Sequence, residues 1–189
     1  MKDIGIPRCD KKWLNKNFDF NRREQVYLKK KMKKKKIAVF FTRKQHPSSP
    51  YIDSLRLNDS IIKILCDNGY HVLLKLHPND DRGLYERFLK NLNVSLSNLP
   101  SFMLMRYFEV AIFTKSAIGI ELVLNSKKVF QILTDKDRLN PVTTNMIKKN
   151  IYQTIRIEEL NSNLKSKKYK HFNKHKKLLR YFKSSSGSI

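Results

Sequence analysis

An α/β architecture, a parallel sheet covered by helices on both faces, is what this 189-residue sequence predicts. Three observations carry that expectation. Short continuous apolar runs alternate with stretches of helical spacing in units of about thirty residues, as strands buried on both faces do. Polar, anion-competent residues follow three of those runs directly. One stretch, Glu109 to Leu124, compresses a strand, a turn and a helix into a single short unit.

The chain divides into a lead-in of residues 1–36, a sheet-forming domain of residues 37–160, and a basic C-terminal helix and tail of residues 161–189. In the lead-in, Gly5-Ile6-Pro7-Arg8-Cys9-Asp10 marks a turn, and Asn21 to Met32 has helix-forming composition. The basic run Lys29 to Lys36, interrupted only by Met32, is open to two readings, a phosphate contact or a solvated helix end. Ile37 to Phe41 is the first strand, delivering Thr42 and Arg43 to its carboxyl end, with a loop at His46 to Pro50. A helix then runs to Asn68 on Leu55, Ile61, Ile62, Ile64 and Leu65, and Gly69 is placed to end it. His71 to Leu76 is the second strand and closes on His77-Pro78. Asn79 or Asp80 is expected to cap the next helix, where Leu84, Tyr85, Phe88 and Leu92 fall at helical spacing. A strand near Asn93 to Leu96 and a short helix over 100–107 lead into the central strand, Val110 to Phe113. Lys128 to Leu133 forms another strand, followed by a polar loop at Thr134 to Pro141 and a short helix.

The central unit carries the chemistry. Ser116 is placed to cap the helix that follows it, and a helix start at the carboxyl end of a strand favours an anion, with Lys115 adding charge beside it. Gly119 costs about 1 kcal/mol against Ala inside a helix, so close approach of some group is expected there. Glu121 is the one acid among Ala117, Ile118, Ile120, Leu122, Val123 and Leu124, and a buried carboxylate needs a partner. A phosphate at the turn and a hydroxyl-rich group at Glu121 would account for both; equally, Ser116 caps and Glu121 pairs with a nearby lysine. In sheets of this kind, ligands bind outside the carboxyl ends of the strands, where Arg43, His77 and the turn Thr114 to Ser116 all fall.

Composition narrows the partners. A net charge of +24 makes a polyanion, an anionic membrane or a phosphorylated substrate the natural partner, with surface lysines that merely solvate the fold as the alternative source of part of that charge. The apolar fraction of 40% excludes a disordered chain. Cys9 and Cys66 stand in unrelated contexts, offering neither a metal pair nor a redox pair, as in a reducing cytoplasm. No apolar run approaches the roughly 18 residues of a membrane span. After Glu159 no acid occurs, while lysines interleave with Tyr169, Phe172, Leu178, Leu179 and Phe182. That composition is a basic amphipathic helix suited to an anionic membrane, to nucleic acid, or to packing on the domain with its basic face in water. His171 and His175 lie at metal-ligand spacing without acid or sulfur nearby, so no metal is expected, and no cofactor.

Three motifs together carry a resemblance. Gly5-Ile6-Pro7-Arg8-Cys9-Asp10, the strand ending in Thr42-Arg43, and Lys75-Leu76-His77-Pro78 resemble the C-terminal, nucleotide-donor-binding half of CDP-glycerol glycerophosphotransferases and capsule-type glycosyltransferases of the GT-B fold. Thr114-Lys115-Ser116-Ala117 and Glu121 look like that family's phosphate turn and the acid on its following helix. The resemblance, over about residues 4 to 135, implies a Rossmann-like domain that forms one half of a GT-B enzyme. It implies His77 at the donor phosphates, assisting departure of the nucleotide, and Ser116 with the following N–H groups holding those phosphates. Glu121 would take the ribose hydroxyls. Arg43, Lys75, Thr114, Lys115, Ala117 and Gly119 would complete the nucleotide site, with Arg8 and Asp10 beside it. The glutamate at 121 resembles capsule-type sugar transferases, and the Arg-Gly pair of glycerophosphotransferases is reduced to Asp137-Arg138. The implied partners are a nucleotide-activated donor, a lipid-linked or polysaccharide acceptor, an anionic membrane at the cytoplasmic face and a separate N-terminal acceptor domain, with no nucleic acid. A UDP-N-acetylglucosamine 2-epimerase shares the fold and is the alternative enzyme; a basic nucleic-acid-binding module is the alternative from another class.

Overall fold

A computed structural model describes residues 22–32, 35–42, 51–78, 80–105, 107–114, 116, 118–124, 128–133 and 153–166. The expected turn at 5–10, Arg43, the loops around 46–50 and 134–141, Lys115, Ala117 and the basic tail beyond 166 lie outside the described residues.

Among the described residues, six strands form one sheet: β1 (Lys36–Phe41), β2 (Tyr70–Lys75), β3 (Val94–Leu96), β4 (Val110–Phe113), β5 (Lys128–Ile132) and β6 (Gln153–Ile155). Their spatial order is β3-β2-β1-β4-β5-β6, and every pairing is parallel. The architecture is therefore the expected α/β, Rossmann-like sheet, and its order reverses between β1 and β4. The register aligns Phe41 with Lys75 on one side and with Phe113 on the other. Three carboxyl ends thus meet side by side at the reversal, where open α/β sheets leave a crevice for ligands.

Apolar side chains alternate to two cores. Ile37, Val39, Phe41, Leu73, Ala111, Phe113 and Val129 face α1 (Arg22–Met32), α4 (Ser101–Leu104) and α5 (Ile118–Leu124). Ala38, Phe40, Val72, Leu74, Val110, Ile112 and Phe130 face α2 (Tyr51–Asp67), α3 (Glu86–Leu89) and α6 (Ile157–Lys165). Helices on both faces are why the strands read as continuous apolar runs. Helix α2 stops as expected at Gly69, whose φ of 79° lies in the left-handed region that costs a side chain and suits glycine.

Four details differ from the sequence expectation. Asn79 lies outside the described residues, and Asp80 does not cap the turn after β2. Asp81 accepts from Gly83 N at 2.9 Å and opens a 3-10 turn, Arg82–Tyr85, that continues into α3. Helix α3 ends at Leu89, so Leu92 leaves the helical face and is 91% exposed. Strand β6 and helix α6 were not anticipated; α6 crosses the expected boundary at 160/161 and buries Leu160 and Leu164 in the sheet's own core. Helix α1, expected in a lead-in, likewise seats Leu28 in the core, and its Glu24 and Gln25 accept from Ser97 Oγ at 2.5 Å and Tyr107 OH at 3.0 Å.

Candidate functional site at the sheet reversal

The carboxyl end of β2 is the most heavily tied part of the site. After Lys75 the chain turns through His77 and Pro78, and Asp80 N donates back to His77 O at 2.9 Å. One carboxylate oxygen then gathers the turn. Asp80 Oδ2 accepts from Thr42 Oγ1 at 2.5 Å, from Tyr85 OH at 3.2 Å and from His77 N at 3.3 Å. Thr42 Oγ1 also accepts from His77 N at 3.0 Å, and Thr42 N donates to Lys75 O at 3.0 Å, extending the β1–β2 ladder by one residue. Thr42 and Tyr85 are 5% and 1% exposed, so these bonds are made away from water, where unmet polar groups are costly. Burial and the charge of Asp80 push the Tyr85 hydroxyl up to about 12, and buried Asn58 on α2 joins the same group of side chains. The imidazole of His77 is half-buried at this edge.

Lys75, immediately before the turn, lies on the opposite face. Burial lowers its pKa, and Glu24 on α1 opposes that shift. Its charge is balanced toward α1, where Glu24 also holds Ser97.

At the end of β4 the arrangement is sparser. Thr114 is half-buried and Ser116 exposed. Ser116 Oγ accepts from Ile118 N at 3.3 Å, which is the capping contact the sequence predicts. Gly119 is buried because the ring of Phe113 occupies the space a side chain would need: an added Cβ would stand 2.5 Å from Phe113 Cζ. The close approach expected at Gly119 is made by Phe113. Glu121 is half-buried in the first turn of α5, with Oε2 inside the protein.

The structure therefore gathers Thr42, His77, Thr114 and Ser116 along one edge of the sheet. With strands about 4.8 Å apart, the ends of β2 and β4 are separated by about 10 Å. Sequence reasoning missed Asp80, Thr42 and Tyr85 as a unit. The one local signal is an aspartate three residues after His77, a spacing that lets its carboxylate reach back to the His77 amide as well as forward to cap a helix.

No protein-family model and no curated protein sequence matches the chain. Solved structures do. Methanocaldococcus jannaschii UDP-GlcNAc 2-epimerase in complex with UDP-GlcNAc and UDP aligns with a TM-score of 0.59 at 13% identity, covering 96% of this chain and 53% of that one. The fold is that of a GT-B half. The wall teichoic acid polymerase TagF aligns at 0.53 and 13% identity, over 97% of this chain and 46% of that one. The solution structure of ALG13 aligns at 0.51 and 10% identity, over 82% of this chain and 98% of that one. This GT-B-like chain thus spans about half the length of the epimerase and the polymerase.

Proposed function

We propose that the chain is the donor-binding half of a GT-B transferase that holds a nucleotide-activated donor, CDP-glycerol, a CMP-sugar or a UDP-sugar, for synthesis of teichoic acid or capsular polysaccharide. The observation that carries this reading is the meeting of the His77 turn and the Ser116 turn on either side of Thr42 at the sheet reversal. In the proposed site, Ser116, Thr114, Lys115, Arg43 and the N–H groups from Ala117 onward bind the phosphates, and Lys75 supports that edge. Glu121 accepts from the ribose hydroxyls, and Arg8 and Asp10 close the site from the N-terminal side.

The acceptor hydroxyl attacks the transferred group, and the bond from that group to the nucleotide phosphate breaks. Negative charge accumulates on the leaving phosphate. Donors already aimed at that charge lower the barrier, and His77 donates to it as a general acid. The acceptor side of the cleft would come from a separate N-terminal domain. The solution structure of ALG13, matched over 98% of its chain, supports a unit of this extent existing apart. The basic tail and Lys29 to Lys36 would hold the protein on anionic lipid at the cytoplasmic face, close to a lipid-linked acceptor. No helix among the described residues is long and apolar enough to cross a membrane.

The epimerase is the second reading, favoured by the alignment at 0.59. It predicts turnover of UDP-GlcNAc without an acceptor.

A thermal-shift titration with CDP, CMP, UDP, UMP and GDP tests the proposal, because a ligand bound only by the folded state raises Tm. Stabilisation by one cytidine or uridine nucleotide, removed by Glu121→Ala or His77→Ala, is the expected result. Stabilisation by an oligonucleotide alone, with a steep loss on adding salt, would replace it with nucleic-acid binding.

A further inference from the structure

Asp80 stands three residues beyond His77, outside every residue assigned above to the donor. Yet Oδ2 of Asp80 receives two side-chain hydroxyls and one main-chain amide from three different parts of the fold. A helix cap does not require that. Asp81 supplies the cap for the 3-10 turn, so Asp80 is left for another task.

The partners of Asp80 say what the task is. Thr42 extends the β1–β2 ladder by one residue, Tyr85 is anchored in the core beneath α2, and His77 N belongs to the half-buried residue just beyond β2. The three contacts fix the His77 backbone against the end of β1 from one side and against the 3-10 turn from the other. Pro78 fixes the next φ, and the residue before a proline is itself confined to extended conformations. His77 is consequently held at its N–H by Thr42 and Asp80, at its carbonyl by Asp80 N, and by the proline that follows. Few backbone freedoms are left at His77 before any ligand arrives.

We propose that Asp80, acting with Thr42 and Tyr85, is a positioning residue that preorganises His77 toward the anionic group of the bound nucleotide. The inference rests on the donor-site reading of His77. It requires that Asp80 contribute to affinity through His77 and not by touching the ligand. A geometric fault of an ångström at such a group is enough to forfeit most of its benefit.

The test is a set of nucleotide titrations by calorimetry at 15 °C, with the nucleotide that most stabilises the wild-type chain. The variants are His77→Ala, Asp80→Asn, the double variant, Thr42→Val, Thr42→Ser and Tyr85→Phe. Asp80→Asn and His77→Ala are each expected to weaken binding about tenfold, and the double variant no further, because coupled residues fail to add. Thr42→Val should weaken it several-fold and Thr42→Ser restore it, since serine returns the hydroxyl. A merely structural role would lower Tm and leave Kd unchanged at 15 °C. Wild-type affinity in Asp80→Asn, or losses that add to that of His77→Ala, overturns the inference while the donor reading stands. Unchanged affinity in His77→Ala overturns it too and moves the phosphate to the Ser116 turn. Should no nucleotide bind the wild-type chain, the donor reading falls and takes the inference with it. If Asp80→Asn does not fold, Thr42→Val and Tyr85→Phe carry the same comparison.

Discussion

The turns after β2 and β4 are built by different physics. Around β2, polar groups are threaded through the core: Thr42, Asn58, His71 and Ser97 are all buried, and the His77 turn is held by hydrogen bonds to Asp80. Strand β4 is buried and apolar at all four positions, and the element after it is set by shape, with Gly119 against the ring of Phe113. Hydrogen bonds specify direction, and close packing specifies distance. The first therefore suits a turn whose backbone must be held in one direction, and the second suits a helix start that must stand close to its strand.

Removing Asp80 should break the first region most severely. Asp80→Ala leaves the buried hydroxyls of Thr42 and Tyr85 short of an acceptor and should cost about 3 kcal/mol in urea unfolding. Asp80→Asn, which keeps one acceptor oxygen, should cost less. A loss under about 1 kcal/mol for the alanine variant would mean the hydroxyls find other acceptors.

Acid should divide the regions by a comparable amount. His71 is fully buried, its Nε2 2.7 Å from Ser95 Oγ, and burial with the nearby charges of Lys31 and Lys35 lowers its pKa to about 4 from 6.5. The folded chain thus keeps His71 neutral where the unfolded chain protonates it. Stability from this group is complete above pH 6.5, falls as the pH drops from 6.5 toward 4, and changes no further below that. The loss approaches about 3 kcal/mol over this window. His71→Gln should remove this component of the pH dependence, which a stability profile between pH 4 and 7 reads directly.

The shape-built region has its own test. Gly119→Ala places a Cβ 2.5 Å from Phe113 Cζ, inside contact distance of a fully buried ring. Overpacking should cost about 2 kcal/mol despite the better helix propensity of alanine. Phe113→Leu in the same chain should recover part of that loss, whereas it should destabilise the parent by opening a cavity. Simple additivity of the two would disprove the Gly119–Phe113 contact as the cause.

Ser116→Ala should have the smallest effect on folding, about 0.5–1 kcal/mol for a lost cap. Its effect on nucleotide affinity should exceed its effect on Tm if the turn holds phosphate. Equal small effects on both would leave Ser116 a cap alone.

Much of this was legible along the chain. Strands β1, β2, β4 and β5 announced themselves because burial on both faces removes polar residues from short runs, and Gly69 marked the end of α2 through a conformation that disfavours side chains. Strand β6 was missed: Gln153-Thr154-Ile155 is polar at two of its three positions, as an edge strand can be. Helix α6 was masked by the basic residues that crowd behind it, although Ile157, Leu160 and Leu164 sit at helical spacing. At the site, His77 and Ser116 were visible because a pre-proline histidine and a serine before a helix are local patterns. The Gly119 signal was also real, but local reasoning could not tell a ligand from the ring of Phe113.

Taken alone, the sequence determined the alternation of strands and helices, the two buried faces of the sheet, the cap at Ser116 and the histidine at the end of β2. These follow from interactions between residues a few positions apart. Tertiary structure decided the strand order that brings β1, β2 and β4 together and the convergence of Thr42, His77 and Tyr85 on one carboxylate oxygen of Asp80. It also decided that Phe113 fills the space above Gly119. Periodicity records whether a side chain meets water or protein. Which partner it meets depends on how distant segments cross, and that is settled only when the sheet assembles.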